Sequence, residues 1–316
     1  MADWMGTVFH IISPILLLVV LGYLLARIRF LGAAFMADLN KLAFWVALPA
    51  LLFRSVAKAE SPGPRTLDLV LLLAVVTVVI AIAGWLAGGL LRLSRHSFGT
   101  LSQSAFRGNL AYVGVPVLAY AFDGRADFKP LFATAVIAMT LLMALYNISA
   151  VIVLQASRGG ISAEALRSAL RAIVTNPLLI AAAAGLPLGL THTPLPLFVD
   201  RFLETLGGAA VPVALLCIGG SLALPVPRAS RTGAVATGAM LKVVLAPMLA
   251  WLAAPWFGVQ GADLTIAMVF AACPTAAAAY VMARQMDGDE PLAGRTIVLS
   301  TLLSFVSVPA VLWFTR

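Results

Sequence analysis

Apolar residues in this chain come in runs far longer than a buried core helix needs. Crossing about 30 Å of hydrocarbon as an α-helix takes roughly 20 apolar residues. Ten stretches reach that length, at 7–27, 34–56, 67–91, 100–122, 131–154, 168–190, 200–224, 232–257, 262–284 and 293–315, some only by including a proline or glycine. They are numbered here as spans 1 to 10. The polar positions fall between them, in short connections rich in Pro, Gly and charge, as at 59–65. No stretch is long enough for a separate soluble domain. The pattern predicts an all-α integral membrane protein with ten transmembrane helices.

Composition agrees. Of 316 residues, 62% are hydrophobic and 11% charged, against about 45–50% and about 25% in soluble domains. The mean hydropathy of +1.02 leaves more apolar surface than one globular core hides. These values exclude a soluble enzyme, a nucleic-acid binder and a disordered chain. The start, Met1 to Trp4, lacks a basic stretch and is expected to lead into a first membrane helix rather than a cleaved signal.

A net charge of +8 does not imply nucleic acid, because the basic residues sit singly or in small groups between apolar runs. They report topology instead. The connections after odd-numbered spans, with the helix ends bordering them, hold 13 Lys and Arg, among them Arg27, Arg92, Arg95, Arg107, Arg158 and Arg284. The opposite side holds 7, and Lys242 lies inside span 8, which accounts for all 21. The richer side is read as cytoplasmic, with both termini outside and the chain in the cell inner (plasma) membrane. Cys217 and Cys273 lie in apolar segments, and neither a disulfide framework nor a metal site can be built from them. No cofactor is expected.

The chain also resembles itself. Pro14, Gly22 and Pro49 recur as Pro177, Gly185 and Pro212, each shifted by 163, and Thr140 and Thr301 begin similar stretches at a shift of 161. This pairs span 1 with 6, 2 with 7 and 5 with 10, giving repeats at 1–155 and 156–316. Five spans is an odd number, so the second repeat enters the membrane inverted, an architecture of many secondary transporters.

In such transporters, interrupted helices mark the binding site. Span 4 contains Gly114 and Pro116, which should break the helix near mid-membrane. Span 9 has Pro274 at a comparable depth, followed by small residues from Ala276 to Ala279. A helix restarting after a break offers unpaired amides and a partial positive charge, and two such ends make an anion site. Asn109, Tyr112, Thr275 and Tyr280 are the polar side chains nearby, and neither break carries an acidic residue. Lys242 lies about ten residues into span 8, and either attracts the anion or caps carbonyls freed by a break. Asn147 in span 5 either lines the pocket or bonds a neighbouring helix. Asp123 and Asp127 are read as solvated. His10, His96 and His192 lie near helix ends or loops and are not read as proton relays.

The stretch from Arg107 to Pro116, with Asn109, Gly114 and Pro116 spaced as they are, resembles the auxin efflux carrier family, which includes bacterial malate and malonate permeases and plant auxin exporters. The second half agrees through Cys273 to Ala276, Tyr280 to Ala283, Leu299 to Phe305, and Lys242 followed by Pro247. The resemblance spans essentially the whole chain. It implies that spans 1, 2, 6 and 7 form a scaffold and a homodimer interface, and that spans 3–5 and 8–10 form a transport domain moving like an elevator. Spans 4 and 9 would cross at Pro116 and Pro274, where a small organic anion binds without a metal. Asn109 matches the family's motif asparagine, and the candidate site comprises Asn109, Tyr112, Gly114, Val115 and Pro116, with Cys273, Pro274, Thr275, Ala276 and Tyr280. Asn147 and Lys242 are added from the residues themselves. Many bacterial members carry a polar residue just after the span 9 proline, where this chain has Ala276 to Ala279, so backbone amides are the expected donors on that side.

The leading reading is a secondary carrier for a dicarboxylate or an aromatic monocarboxylate, embedded in a lipid bilayer. The alternative is a sodium-coupled organic anion symporter of the bile-acid type. An intramembrane enzyme finds no motif here: HExxH, GxSxG and paired intramembrane carboxylates are all missing from the sequence.

Overall fold

The computed structural model describes residues 2–58, 66–160, 163–223 and 231–315. The connection at 59–65 and Arg228 lie outside them. Helices α1 (Ala2–Arg27), α2 (Ala33–Leu42), α3 (Leu48–Ala57), α4 (Thr66–Leu90), α5 (Arg95–Phe106), α6 (Val115–Ala121) and α7 (Phe128–Ala156) cover the first half. The second half holds α8 (Ala163–Val174), α9 (Pro177–Leu190), α10 (Leu197–Gly208), α11 (Ala210–Leu222), α12 (Thr232–Met240), α13 (Ala246–Ala253), α14 (Gly261–Ala272), α15 (Ala278–Gln285) and α16 (Glu290–Phe314).

Among the described residues, six continuous helical stretches are long and apolar enough to cross a membrane: Ala33–Ala57, Thr66–Leu90, Phe128–Ala156, Leu197–Leu222, Thr232–Phe257 and Glu290–Phe314. Four shorter apolar helices are Ser13–Arg27, Leu110–Ala121, Pro177–Leu190 and Gly261–Ala272. The protein is a multi-pass, all-helical membrane protein. Span 6 is corrected at its start. Residues 168–174 belong to α8, an amphipathic helix, and the apolar helix begins only at Pro177. Asn176 causes the restart, because its side-chain oxygen accepts from Leu178 N at 2.9 Å while Pro177 occupies the first turn.

Three π-helical segments, Ala43–Ala47, Leu110–Gly114 and Leu241–Leu245, share one local cause. Each ends two residues before a proline, Pro49, Pro116 or Pro247. A proline lacks the N–H of the helical ladder, and its ring clashes with the carbonyl four residues back. That carbonyl belongs to Trp45, Tyr112 or Val243, inside the π segment in every case. Widening the turn there moves the carbonyl aside without ending the helix.

By contacts the chain divides into two compact units. Unit 1 takes Met1–Thr66, Ala111–Thr140 and Val174–Pro225, and unit 2 takes Leu67–Leu110, Leu141–Ile173 and Val226–Arg316. Within unit 1, α1 packs along α11 and α3 packs along α9. Both pairs come close because glycines leave room. A Cβ at Gly22 would strike the Leu216 carbonyl, and one at Gly219 would strike the Val19 carbonyl. At Gly185 it would stand 2.7 Å from Phe53 O. Gly22 and Gly185 are the repeat-related pair, so span 1 meets span 7 as span 6 meets span 2. Ion pairs tie α3 to α10: Arg54 to Asp200 at 2.7 Å and to Glu204 at 3.1 Å, and Lys58 to Asp200 at 2.8 Å. In the connection after α6, Arg125 pairs with Asp127 at 2.8 Å and holds that carboxyl below its usual range.

Within unit 2, α5 is buried along most of its length. Ser102 donates to Ala81 O at 2.8 Å, and Trp85 meets Phe98 edge-on at 5.7 Å, fixing α5 to α4. Asp289 caps α16 by accepting from Leu292 N, and also accepts from Ser97 Oγ at 2.7 Å.

Gly219→Ala should force α1 from α11 at a backbone contact and cost about 1–3 kcal/mol. Thermal unfolding in detergent checks this, with Gly233→Ala, whose Cβ meets nothing within 4 Å, expected to leave the transition unmoved or raised.

Candidate functional site

The site begins with two helices that stop. In span 9, α14 ends at Ala272 because Cys273 precedes Pro274, and a residue before proline is driven out of the helical region. Cys273 is accordingly extended, at φ −54 and ψ 139. In span 4, α5 ends at Phe106, and Arg107 is extended at φ −75 and ψ 95. The break therefore lies at Arg107 to Asn109, and not at Gly114 and Pro116 as the sequence led one to expect. Pro116 sits in the first turn of α6, where its missing N–H costs nothing and the π segment has absorbed its ring.

The extended pieces meet inside unit 2. Asn109 N donates to Pro274 O at 2.8 Å and Ala276 N donates to Arg107 O at 2.9 Å, an antiparallel bridge centred on Gly108 and Thr275. Thr275, fully buried, pins the arrangement: its hydroxyl donates to Ser104 O at 2.7 Å and its N–H donates to Ser300 Oγ at 3.0 Å. The crossing is thus at Gly108 and Thr275 rather than at Pro116 and Pro274. The amides of Thr275 and Ala276 are already committed, and at the start of α15 those of Ala279 and Tyr280 donate to Ala276 O and Ala277 O. In the last turn of α5, Gln103 donates to Ala279 O at 3.0 Å. Gln103 Oε1 and Ser104 Oγ are buried without partners among the described residues.

Two cations lie at this crossing. Lys242, in the π segment Leu241–Leu245, is 1% exposed and donates to Ala271 O in the last turn of α14. That is the capping role weighed from the sequence, and a cation suits the partial negative charge at a helix C-terminus. Its stem runs past Gly108, where a Cβ would stand 3.3 Å from Lys242 Cε. Arg107, 8% exposed, donates from Nη2 to Asn147 Oδ1 at 2.6 Å and from Nη1 to Tyr146 O and Met282 Sδ, both at 3.2 Å. Among the described residues no carboxylate pairs with either cation.

Arg107 was counted above with the cytoplasmic topology residues, and its burial overturns that assignment. The signal was available: an ionisable residue at the break of a membrane helix faces protein or a cavity, not the lipid surface. Asn147, for which two roles stood open, bonds the guanidinium. Asn109 is half-buried, and its side chain has no hydrogen-bond partner among the described residues. Cys273 and Pro274 are buried in the crossing, and Ala276 and Tyr280 are half-buried beside it. Tyr112, Gly114, Val115 and Pro116 belong to unit 1, where Tyr112 donates to Asn40 O at 3.3 Å. The crossing thus gathers Asn109, Cys273, Pro274, Thr275, Ala276, Asn147 and Lys242, and adds Arg107. Among the described residues no cluster of His, Cys, Asp or Glu is disposed to hold a metal.

The family model described as "Membrane transport protein" matches residues 7–312. The chain belongs to that family. It is the auxin efflux carrier family, as the stretch from Arg107 to Pro116 suggested. Among its relatives, an "Uncharacterized transporter" of Methanothermobacter thermautotrophicus is 29% identical, covering 98% of both chains. A "Putative malonate transporter" of Rhizobium meliloti is also 29% identical, over 99% of this chain and 97% of its own length. An "Uncharacterized transporter" of Methanocaldococcus jannaschii is 22% identical, over 94% and 96%.

If Thr275 pins the crossing, Thr275→Val leaves the Ser104 carbonyl unsatisfied and should cost about 1 kcal/mol or more. Thr275→Ser keeps the hydroxyl and should recover most of the loss, read from thermal unfolding of the purified protein.

Proposed function

We propose that this protein is a secondary carrier for a small organic anion, bound at the crossing of spans 4 and 9. The observation that carries the reading is the half-buried Asn109, whose side-chain amide has no partner among the described residues, at a crossing that also holds two buried cations without a carboxylate partner. A carboxylate supplies what this arrangement lacks, because it accepts from the Asn109 amide and sets negative charge against Arg107 and Lys242. The malonate named for the Rhizobium relative makes a short dicarboxylate the first substrate to test, with an aromatic monocarboxylate second.

The carrier would make ten crossings in two inverted repeats, with both termini outside the inner membrane. The six long stretches and four shorter apolar helices support that count. The matched packing of span 1 on 7 and span 6 on 2 supports the inversion. Unit 1, which gathers spans 1, 2, 6 and 7 with residues 111–140, supports a scaffold reading and is where a homodimer would form. Unit 2, which holds the crossing, would then be the part that moves. The sodium-coupled alternative draws only on the partnerless oxygens of Gln103 and Ser104.

Counterflow of radiolabelled malonate, malate and indole-3-acetate into proteoliposomes tests this. Saturable exchange of at least one anion is expected without sodium. Asn109→Ala should lose at least about tenfold in rate, the scale of one well-placed hydrogen bond to a charged group, while the protein keeps its elution volume and unfolding temperature. Wild-type rates in Asn109→Ala would remove the crossing as the site, and a strict sodium requirement would promote the symporter.

A further inference from the structure

Arg107 and Lys242 are both inside unit 2, both buried, and both held by neutral oxygen or sulfur acceptors. A guanidinium keeps its proton in proteins. The ammonium of Lys242 sits against the C-terminal end of α14, where a helix favours positive charge. Two carboxylates that follow span 9 are engaged elsewhere: Asp287 pairs with Arg158 at 3.0 Å, and Asp289 caps α16 and accepts from Ser97. Two positive charges are thus built into the crossing, and among the described residues no carboxylate pairs with either.

We infer that the membrane voltage acts on the return of the empty site and not on the passage of the loaded one. The inference rests on the carrier reading above. A dianion bound at the crossing makes the loaded unit neutral with respect to these two cations, so its movement through the membrane field does no electrical work. The empty site carries both charges through the same field. For net efflux the empty site must return from the outside to the inside, and an interior-negative potential pulls positive charge in that direction. Voltage then drives export by speeding the return, although the anion itself crosses as part of a neutral unit. Exchange, in which the site is loaded in both directions, escapes the field altogether.

The test uses the full-length protein in proteoliposomes loaded with labelled malonate, a dianion at neutral pH, with the potential set by potassium and valinomycin. Net efflux into malonate-free buffer is compared with exchange against external malonate. One charge crossing the whole potential changes an equilibrium about 50-fold per 100 mV, so two charges crossing part of it should speed net efflux at least about fivefold. Exchange should change by less than about 1.5-fold, since a neutral unit feels no field. In Lys242→Gln a loaded dianion leaves the site with net negative charge, so exchange should become voltage-sensitive while net efflux becomes less so. Lys242→Arg keeps the charge, so whatever its rate, exchange should stay insensitive to voltage and net efflux should stay sensitive. Exchange as sensitive to voltage as net efflux, or net efflux that ignores voltage, overturns the inference while leaving the carrier intact. No saturable exchange of malonate, malate or indole-3-acetate overturns the carrier reading itself, and the inference with it. The wild-type comparison decides the matter even if the Lys242 variants do not fold.

Discussion

A helix that stops inside a membrane exposes N–H and C=O groups where no water can satisfy them, and each one left bare costs several kcal/mol. The antiparallel bridge between Gly108 and Thr275 meets that demand by letting two broken helices repair each other. Asn109 N finds Pro274 O, and Ala276 N finds Arg107 O. Thr275 and Ser300 complete the set with side-chain hydroxyls. The crossing in unit 2 depends on this repair. Non-helical backbone is tolerated at membrane depth only where protein surrounds it or a cavity is lined by it. The bridge allows two chain breaks to coexist at one point, and the breaks bring Asn109, Arg107 and Lys242 within one small volume.

The prolines of spans 2, 4 and 8 obey the same rule by another route. Each of Pro49, Pro116 and Pro247 follows a π segment that accommodates its ring, so the helix bends or widens without stopping. Pro274 has no such segment before it, and there the helix does stop. At these four positions one residue type gives two outcomes. Where the preceding turn can widen, the ladder continues at a small cost. Where Cys273 goes extended instead, the freed carbonyls of α14 need new partners, and Lys242 supplies one to Ala271.

Charge completes the picture. Burying Arg107 and Lys242 without carboxylates is costly, and the neutral acceptors Asn147, Tyr146 O and Ala271 O offset only part of that. Under the carrier reading proposed above, the cargo would supply the missing counter-charge. Unit 1 shows the contrast: Arg54 and Lys58 are met by Asp200 and Glu204, and their business is to hold α3 to α10.

The sequence by itself determined the medium, the helical class and the family. All three follow from local quantities: run length, hydropathy, and the motif from Arg107 to Pro116. It also marked most of the crossing, because Asn109, Pro274, Thr275 and Lys242 are polar or helix-breaking residues in otherwise apolar spans. Where spans 4 and 9 break was decided by tertiary structure. Gly114 and Pro116 look like the stronger interruption, yet a π segment absorbs Pro116, and extended backbone at Arg107 to Asn109 is stable only with Pro274 and Ala276 as partners from about 165 residues away. The role of Arg107 was hidden for the same reason. An arginine at the end of a polar stretch reads as a topology marker until Asn147 and Tyr146, from another helix, close around it. Backbone hydrogen bonds and buried charges are settled by which partners the fold brings near, and that information is not local in the chain.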